Sequence, residues 1–219
     1  MVEIIPTIVP DSLADVVRES ERYSGFANFF QIDVADGVFA PNTTWMPSKG
    51  ERLPSGFSYE IHLMVAEPHE AGLLFAKAGA HTLIVHMEAL RDAEKARQNV
   101  EEWKKTGVQS VGIGVLFQTP LADIAPYLPC ADFVLLMTIA RIGVQGIPFE
   151  QESISRVAEF RRMYPDVPIA VDGGVSEKNI ADLVRAGATH FGVGLAIAKS
   201  SDPKEAYEHL KKTAENALQ

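Results

Sequence analysis

Eight short β-rich runs alternate with helical stretches along the whole of this chain, and that alternation limits its fold more than any other feature. The runs cover residues 3–9, 28–33, 58–65, 81–86, 108–115, 132–137, 167–171 and 190–194. They are rich in Val, Ile and Phe and nearly continuous in apolar residues, as strands of a parallel sheet covered on both faces should be. Amphipathic stretches at 11–23, 68–78, 89–105, 121–127, 150–163, 176–186 and 202–218 read as helices, with a weaker segment at 47–53 for the missing one. Ser176 with Asn179, and Ser201-Asp202 with Pro203, read as helix starts. Gly79, Gly107 and Gly187 sit just past helix ends, where a left-handed residue closes the last turn. No linker or composition break interrupts the pattern. Eight βα units in 219 residues predict a single (β/α)8 barrel over residues 1–219. A doubly wound open sheet is the alternative, weakened because no dinucleotide-type glycine fingerprint follows the first strand.

Composition narrows the partners. The net charge of −9 argues against nucleic acid, which needs a basic surface. No apolar run approaches the roughly 20 residues that span a bilayer. The start, Met1-Val2-Glu3-Ile4-Ile5-Pro6, has no basic leader region and a proline where an apolar stretch would continue, so it does not read as a signal peptide. The single Cys130, read at the start of an apolar strand, is expected to be a small buried filler. A reducing, cytoplasmic compartment is the expectation.

In such a barrel, function sits at the C-terminal ends of the strands, and the polar residues gather there. Thr7 lies near the tip of strand one. Gln31 and Asp33 close strand two, His62 lies late in strand three, His86 closes strand four ahead of Glu88, and Asp172 closes strand seven. Gln31 and Asp33 are two apart and so share a face. His86 taken alone reads as hydrogen-bonded core, Asp36-Gly37 as a turn, and His69, His81, His190 and His209 as structural or solvated. Asp33, His62 and Asp172 together differ. Three ionisable groups converging at strand tips are costly to bury without a metal, a ligand or one another. Two such carboxylates suggest acid/base chemistry.

Anion binding is the second signal. Gly173-Gly174 leads from strand seven toward a helix, and Gly192-Val193-Gly194 closes strand eight before another helix start. Loops at those places offer backbone N–H groups to phosphate. The loop at 138–148, containing Arg141, Gly143, Gln145 and Gly146, is long enough to serve as a lid or phosphate clamp, or to be an ordinary surface loop.

Six stretches together resemble the ribulose-phosphate 3-epimerase family over almost the full chain. They are Pro6-Thr7-Ile8; Ile32-Asp33-Val34-Ala35-Asp36-Gly37-Val38-Phe39-Ala40-Pro41-Asn42; His62-Leu63-Met64-Val65; Val85-His86-Met87-Glu88-Ala89; Leu136-Met137-Thr138; and Val171-Asp172-Gly173-Gly174-Val175. The resemblance implies a phosphosugar epimerase that inverts C3 of a ketopentose 5-phosphate, interconverting D-ribulose 5-phosphate and D-xylulose 5-phosphate. Asp33 and Asp172 would be the acid/base pair, one on each face of the substrate. One divalent ion (Zn, Mn, Fe or Mg) would be held by Gln31, Asp33, His62 and Asp172. Met64 and Met137 would form an apolar floor. Phosphate would lie on backbone N–H groups of Gly173, Gly174, Gly194 and Leu195 and of the strand-six loop with Gly143 and Gly146. Barrels of this kind often associate, so a homo-oligomer is open.

The chain also departs from the family pattern. Gln31 stands where the family has histidine, and an amide oxygen is a poor ligand for zinc-like ions. Thr7 and Leu195 replace serines. Arg141-Ile142-Gly143-Val144-Gln145-Gly146 replaces the family's glycine-rich lid, so Arg141 could supply a charge-assisted phosphate contact or simply lie on the surface. These changes leave two alternatives open: a metal-independent phosphosugar isomerase, with His62 or His86 polarising the carbonyl, and a paralogue that binds a phosphosugar without turning it over.

Overall fold

The structure, a computed structural model, describes residues 2–218. Its eight strands are all parallel and close on themselves in chain order. In sequence they and the α-helices are β1 (Glu3–Ile8), α1 (Leu13–Tyr23), β2 (Phe29–Ala35), β3 (Ser58–Met64), α2 (Pro68–Ala78), β4 (Thr82–His86), α3 (Ala93–Thr106), β5 (Ser110–Val115), β6 (Phe133–Met137), α4 (Glu152–Met163), β7 (Ile169–Asp172), α5 (Ile180–Ala186), β8 (His190–Val193), α6 (Leu195–Ala198) and α7 (Pro203–Asn216). The ring is sealed by β1 against β8, with Ile5 opposite Gly192. The (β/α)8 barrel is therefore the fold, and the open sheet is excluded. No helix among the described residues is long and apolar enough to cross a membrane.

Burial follows the strand period. Outward side chains such as Phe30, Ile61, Leu83 and Phe191 meet Phe75, Trp103 and Phe160 from the helices in one large core. Inward side chains form a smaller cluster that includes Ala35, Met64, Ile84, Leu135, Met137 and Ala170. Strand β5 supplies the inner space. A Cβ on Gly112 would lie 2.4 Å from the Phe133 ring, and one on Gly114 would lie 3.1 Å from the His86 ring. The helix signals act as their chemistry requires. Asp202 accepts the N–H of Glu205 ahead of Pro203, and Gly79, Gly107 and Gly187 take left-handed conformations.

Several boundaries differ from expectation. Residues 47–53 form no helix. Pro47 opens the segment and Pro54 follows it, and Gly50 lies within it at φ 93°. The stretch runs as irregular chain, with the Leu53 N–H bonded to the Ala78 carbonyl and the Leu53 side chain in the large core. The stretch at 121–127 is a 3-10 helix running from Leu121 to Cys130, because Pro126 and Pro129 cannot donate to an α-helical ladder. Cys130 therefore ends that helix half-buried, with its thiol on the Tyr127 carbonyl, rather than opening a strand. The third helix starts at Ala93, where the Asp92 side chain caps the Lys95 N–H, and a 3-10 turn (Met87–Ala89) precedes it. The helix expected from Ser176 starts at Ile180 instead. Asn179 accepts the Ser176 N–H and donates to the Gly174 carbonyl, which braces the turn in between.

Candidate active site

Strand β2 runs two residues beyond Asp33, so this aspartate lies within the ladder and pairs in register with His62 of β3. Gln31 is one inward position deeper. Asp172 ends β7, and its backbone is fixed by the Thr138 N–H and hydroxyl, both bonded to its carbonyl. Thr44 does the same for β2. It accepts the Ala35 N–H and donates to the Asp33 carbonyl, a supporting role the sequence did not reveal. Asp36 bonds the N–H groups of Val38, Phe39 and Ala66, which shapes the turn after β2 and ties it to the end of β3.

These strands bring Asp33, His62 and Asp172 together. One ligand atom from each lies within 4.8 Å of the others. The His62 Nδ1 is 3.1 Å from Asp172 Oδ2 and 3.3 Å from Asp33 Oδ1. Neither approach has hydrogen-bond alignment, so this buried nitrogen aims between two carboxylates without a bonded partner. Gln31, only 1% exposed, lies behind them. Its Nε2 donates to Asp33 Oδ1 and to Asp172 Oδ2, 2.8 Å each, while its Oε1 has no partner. On the far side of His62, Nε2 meets His86 Nε2 at 2.8 Å. The His86 Nδ1 in turn faces Glu88 Oε2 at 3.5 Å. Both rings are fully buried. His86 is thus more than core filling, because it is fastened to the site.

The electrostatics match the crowding. Burial, and then the Asp172 charge, raises the proton affinity of Asp33. Burial opposes a charge on His62, but the Asp172 and Asp33 carboxylates overcome it and hold the ring's pKa up to about 10. His86 is pushed down, chiefly by burial. Two carboxylates and one imidazole converging in this way are an oxygen-rich donor set, and the unpartnered His62 Nδ1 is the buried atom a cation there would satisfy. The Gln31 Oε1 lies on the other side of its amide, toward Gly192.

A cavity of about 370 Å³ opens above the cluster. Its walls include Thr7, Asp33, His62, Met64, Met137, Asp172, Gly173, Gly174, Gly194 and Leu195, together with Gly143 and Gly146 of the strand-six loop. Every expected substrate-contacting position therefore faces one space. Arg141 is exposed and outside the lining. The strand-six loop also contributes Ile139, Ile142 and Gln145. Gly143 sits against Ala40, and a Cβ there would lie 2.5 Å from the Ala40 Cβ.

Residues 3–198 match the "Ribulose-phosphate 3 epimerase family". The chain is 33% identical over 221 residues to a ribulose-phosphate 3-epimerase of Bacillus subtilis (strain 168), covering 96% of this chain and 99% of that one. It is 34% identical over 196 residues to one from Chlamydia muridarum, covering 84% and 83%. Among solved structures, 3-hexulose-6-phosphate synthase from Salmonella typhimurium superposes with a TM-score of 0.71 at 15% identity, over 98% of this chain and 99% of that one. At that identity the likeness is one of fold.

Proposed function

We propose, from the premise that this chain belongs to the ribulose-phosphate 3-epimerase family, that it interconverts D-ribulose 5-phosphate and D-xylulose 5-phosphate. The chain is an epimerase acting on a carbohydrate phosphate, so the binding-only alternative gives way. The observation that carries the finer reading is the pairing of Asp33 and Asp172 across one cavity, tied to each other through the Gln31 amide.

In this reading one aspartate removes the C3 proton and the other delivers a proton to the opposite face. Inversion through a planar enediolate needs both. A raised proton affinity at Asp33 suits this work, since a base is most effective when its pKa lies near the working pH. Met64 and Met137, both buried, line the cavity as the apolar floor beside the reacting carbons. The phosphate lies toward Gly173, Gly174, Gly194 and Leu195. There Gly173 and Gly174 take positive φ values that open the backbone to a ligand. Thr7, also on the wall, offers a hydroxyl with no partner in the protein.

The ligands of a divalent ion in this reading are Asp33, His62 through Nδ1, Asp172 and the carbonyl oxygen of Gln31. Such an ion would supply positive charge to the two oxygens on which the enediolate charge develops. An oxygen-rich set favours Mn²⁺ or Mg²⁺ over Zn²⁺. Position 31 serves two states, because half a turn of the amide exchanges an NH2 that bridges bare carboxylates for an oxygen that meets a cation. The same reading assigns the enzyme to the cytoplasm.

The test is turnover in D2O. Deuterium is expected at C3 of the product, and turnover without label overturns the two-aspartate mechanism. Full activity in chelator-stripped protein overturns the metal assignment alone and leaves the proton-transfer pair standing.

A further inference from the structure

We propose that Glu88 and His86 are positioning residues that decide which ring nitrogen His62 offers to the site. The inference rests on reading Asp33, His62 and Asp172 as the ligands of a divalent ion. An imidazole binds a metal through a bare nitrogen, so its proton must sit on the other one. The atom of His62 facing the carboxylates is Nδ1, and its Nε2 lies 2.8 Å from Nε2 of His86. One of these two nitrogens must donate and the other accept. Once a cation takes the place of the proton that the two carboxylates favour on Nδ1, the His62 ring has one proton left, and the separation alone leaves the direction open.

Glu88 supplies the direction. Its Oε1 accepts the Leu116 N–H at 2.9 Å and the Thr119 hydroxyl. Its Oε2 faces the His86 Nδ1, and neither of those two atoms is bonded elsewhere. A carboxylate only accepts, so the His86 proton belongs on Nδ1. Its Nε2 is then bare and accepts the Nε2–H of His62. That leaves the His62 Nδ1 as the atom available to a cation. The surroundings hold the string in place. Gly114 leaves room for the His86 ring, and the Phe39 ring packs 5.4 Å away on it. Arg156 of α4 donates to the carbonyls of Leu116 and Thr119, which pins the loop that feeds Glu88 its donors. The string thus runs from α4 through the loop after β5 to the centre of the barrel.

Glu88→Gln reverses it. The Leu116 N–H is a fixed donor, so the glutamine carbonyl must turn toward it and the NH2 toward His86. Facing a donor, His86 carries its proton on Nε2, and His62 must accept there. The His62 proton then occupies Nδ1, where the ion would bind. Nitrogen-15 spectra of the Mg²⁺-loaded full-length protein are expected to show the His86 proton on Nδ1 in the parent and on Nε2 in Glu88→Gln. Mn²⁺ affinity, measured by titration calorimetry after chelator treatment, should fall by about 10–100-fold in the variant. A parent His86 protonated on Nε2 overturns the proposal, and so does a folded variant that binds Mn²⁺ as tightly as the parent. A parent that binds no Mn²⁺ removes the metal reading instead, while the parent His86 spectrum still decides the string without any variant.

Discussion

Replacing Glu60 with glutamine should stabilise this protein more strongly the higher the pH. Glu60 lies inside the barrel, one inward position below His62, between Gln31 of β2 and Thr82 of β4 in register. Only 5% of it is exposed. Burial, reinforced by the charges of Asp172, Glu3 and Asp33 and opposed by His62, pushes its carboxyl up to about 8, from an ordinary 4.5. The folded chain therefore holds this proton more tightly than the unfolded one. The associated stability is fully present below about pH 4.5 and is lost as pH rises toward 8. The slope is about 1.4 kcal/mol per pH unit, which accumulates to roughly 5 kcal/mol above pH 8. Glutamine has the shape of the protonated acid and loses nothing. Urea unfolding of both proteins is expected to give a gap under about 1 kcal/mol at pH 5, about 3 kcal/mol at pH 7 and roughly 5 kcal/mol at pH 9. A gap that stays constant across this range, or that favours the parent at pH 9, refutes the reasoning.

Three further outcomes follow from the geometry. Asp33→Asn and Asp172→Asn should each slow epimerisation by about 10²–10⁴-fold. Each should still wash deuterium into C3 of one epimer only, and exchange into both epimers by either variant would contradict the one-face-each assignment. Gly72→Ala places a Cβ 2.4 Å from the Trp103 indole, an overpacking expected to cost about 1–3 kcal/mol, and an unchanged Tm would count against it. Gly143→Ala combines a φ of 78° with a Cβ 2.5 Å from that of Ala40. Relieving left-handed strain of about 1–2 kcal/mol and this overlap requires the loop to leave its place on the cavity wall, which predicts a KM raised roughly five- to thirtyfold together with a lowered Tm, and unaltered kinetics would show that the loop does not help hold substrate.

The barrel was legible because burial on both faces writes itself into a strand as a continuous apolar run, repeated here eight times. The converging carboxylates were legible because period-two geometry puts Gln31, Asp33 and His62 on the inner side wherever the strands register. What stayed hidden depends on neighbours rather than on spacing. The pattern at 47–53 suggests a helix, but prolines at its start and just past its end and the Ala78 carbonyl hold it as irregular chain. Thr44 supports Asp33 from eleven residues away through a turn that no local rule specifies. The roles of His86 and Glu88 require knowing that two rings meet nitrogen to nitrogen across β3 and β4, which is a matter of rotamers. Gln31 reads from its chemistry as a poor ligand, and that its amide also bridges the two aspartates depends on how three side chains turn toward one another.

Closure of the strand ring has a consequence for how such a protein can change through descent. Every strand is hydrogen-bonded to two neighbours, with β8 returning to β1, so a residue inserted into any strand would disturb the register all the way around the circuit. An open sheet could absorb such a slip at its edge, but a ring has none. Innovation is left with two channels, the exchange of one inward side chain for another and the rewriting of loops above the rim. Both channels carry differences here, in the amide at position 31 and in the segment between β6 and α4, while the circuit beneath them holds its count.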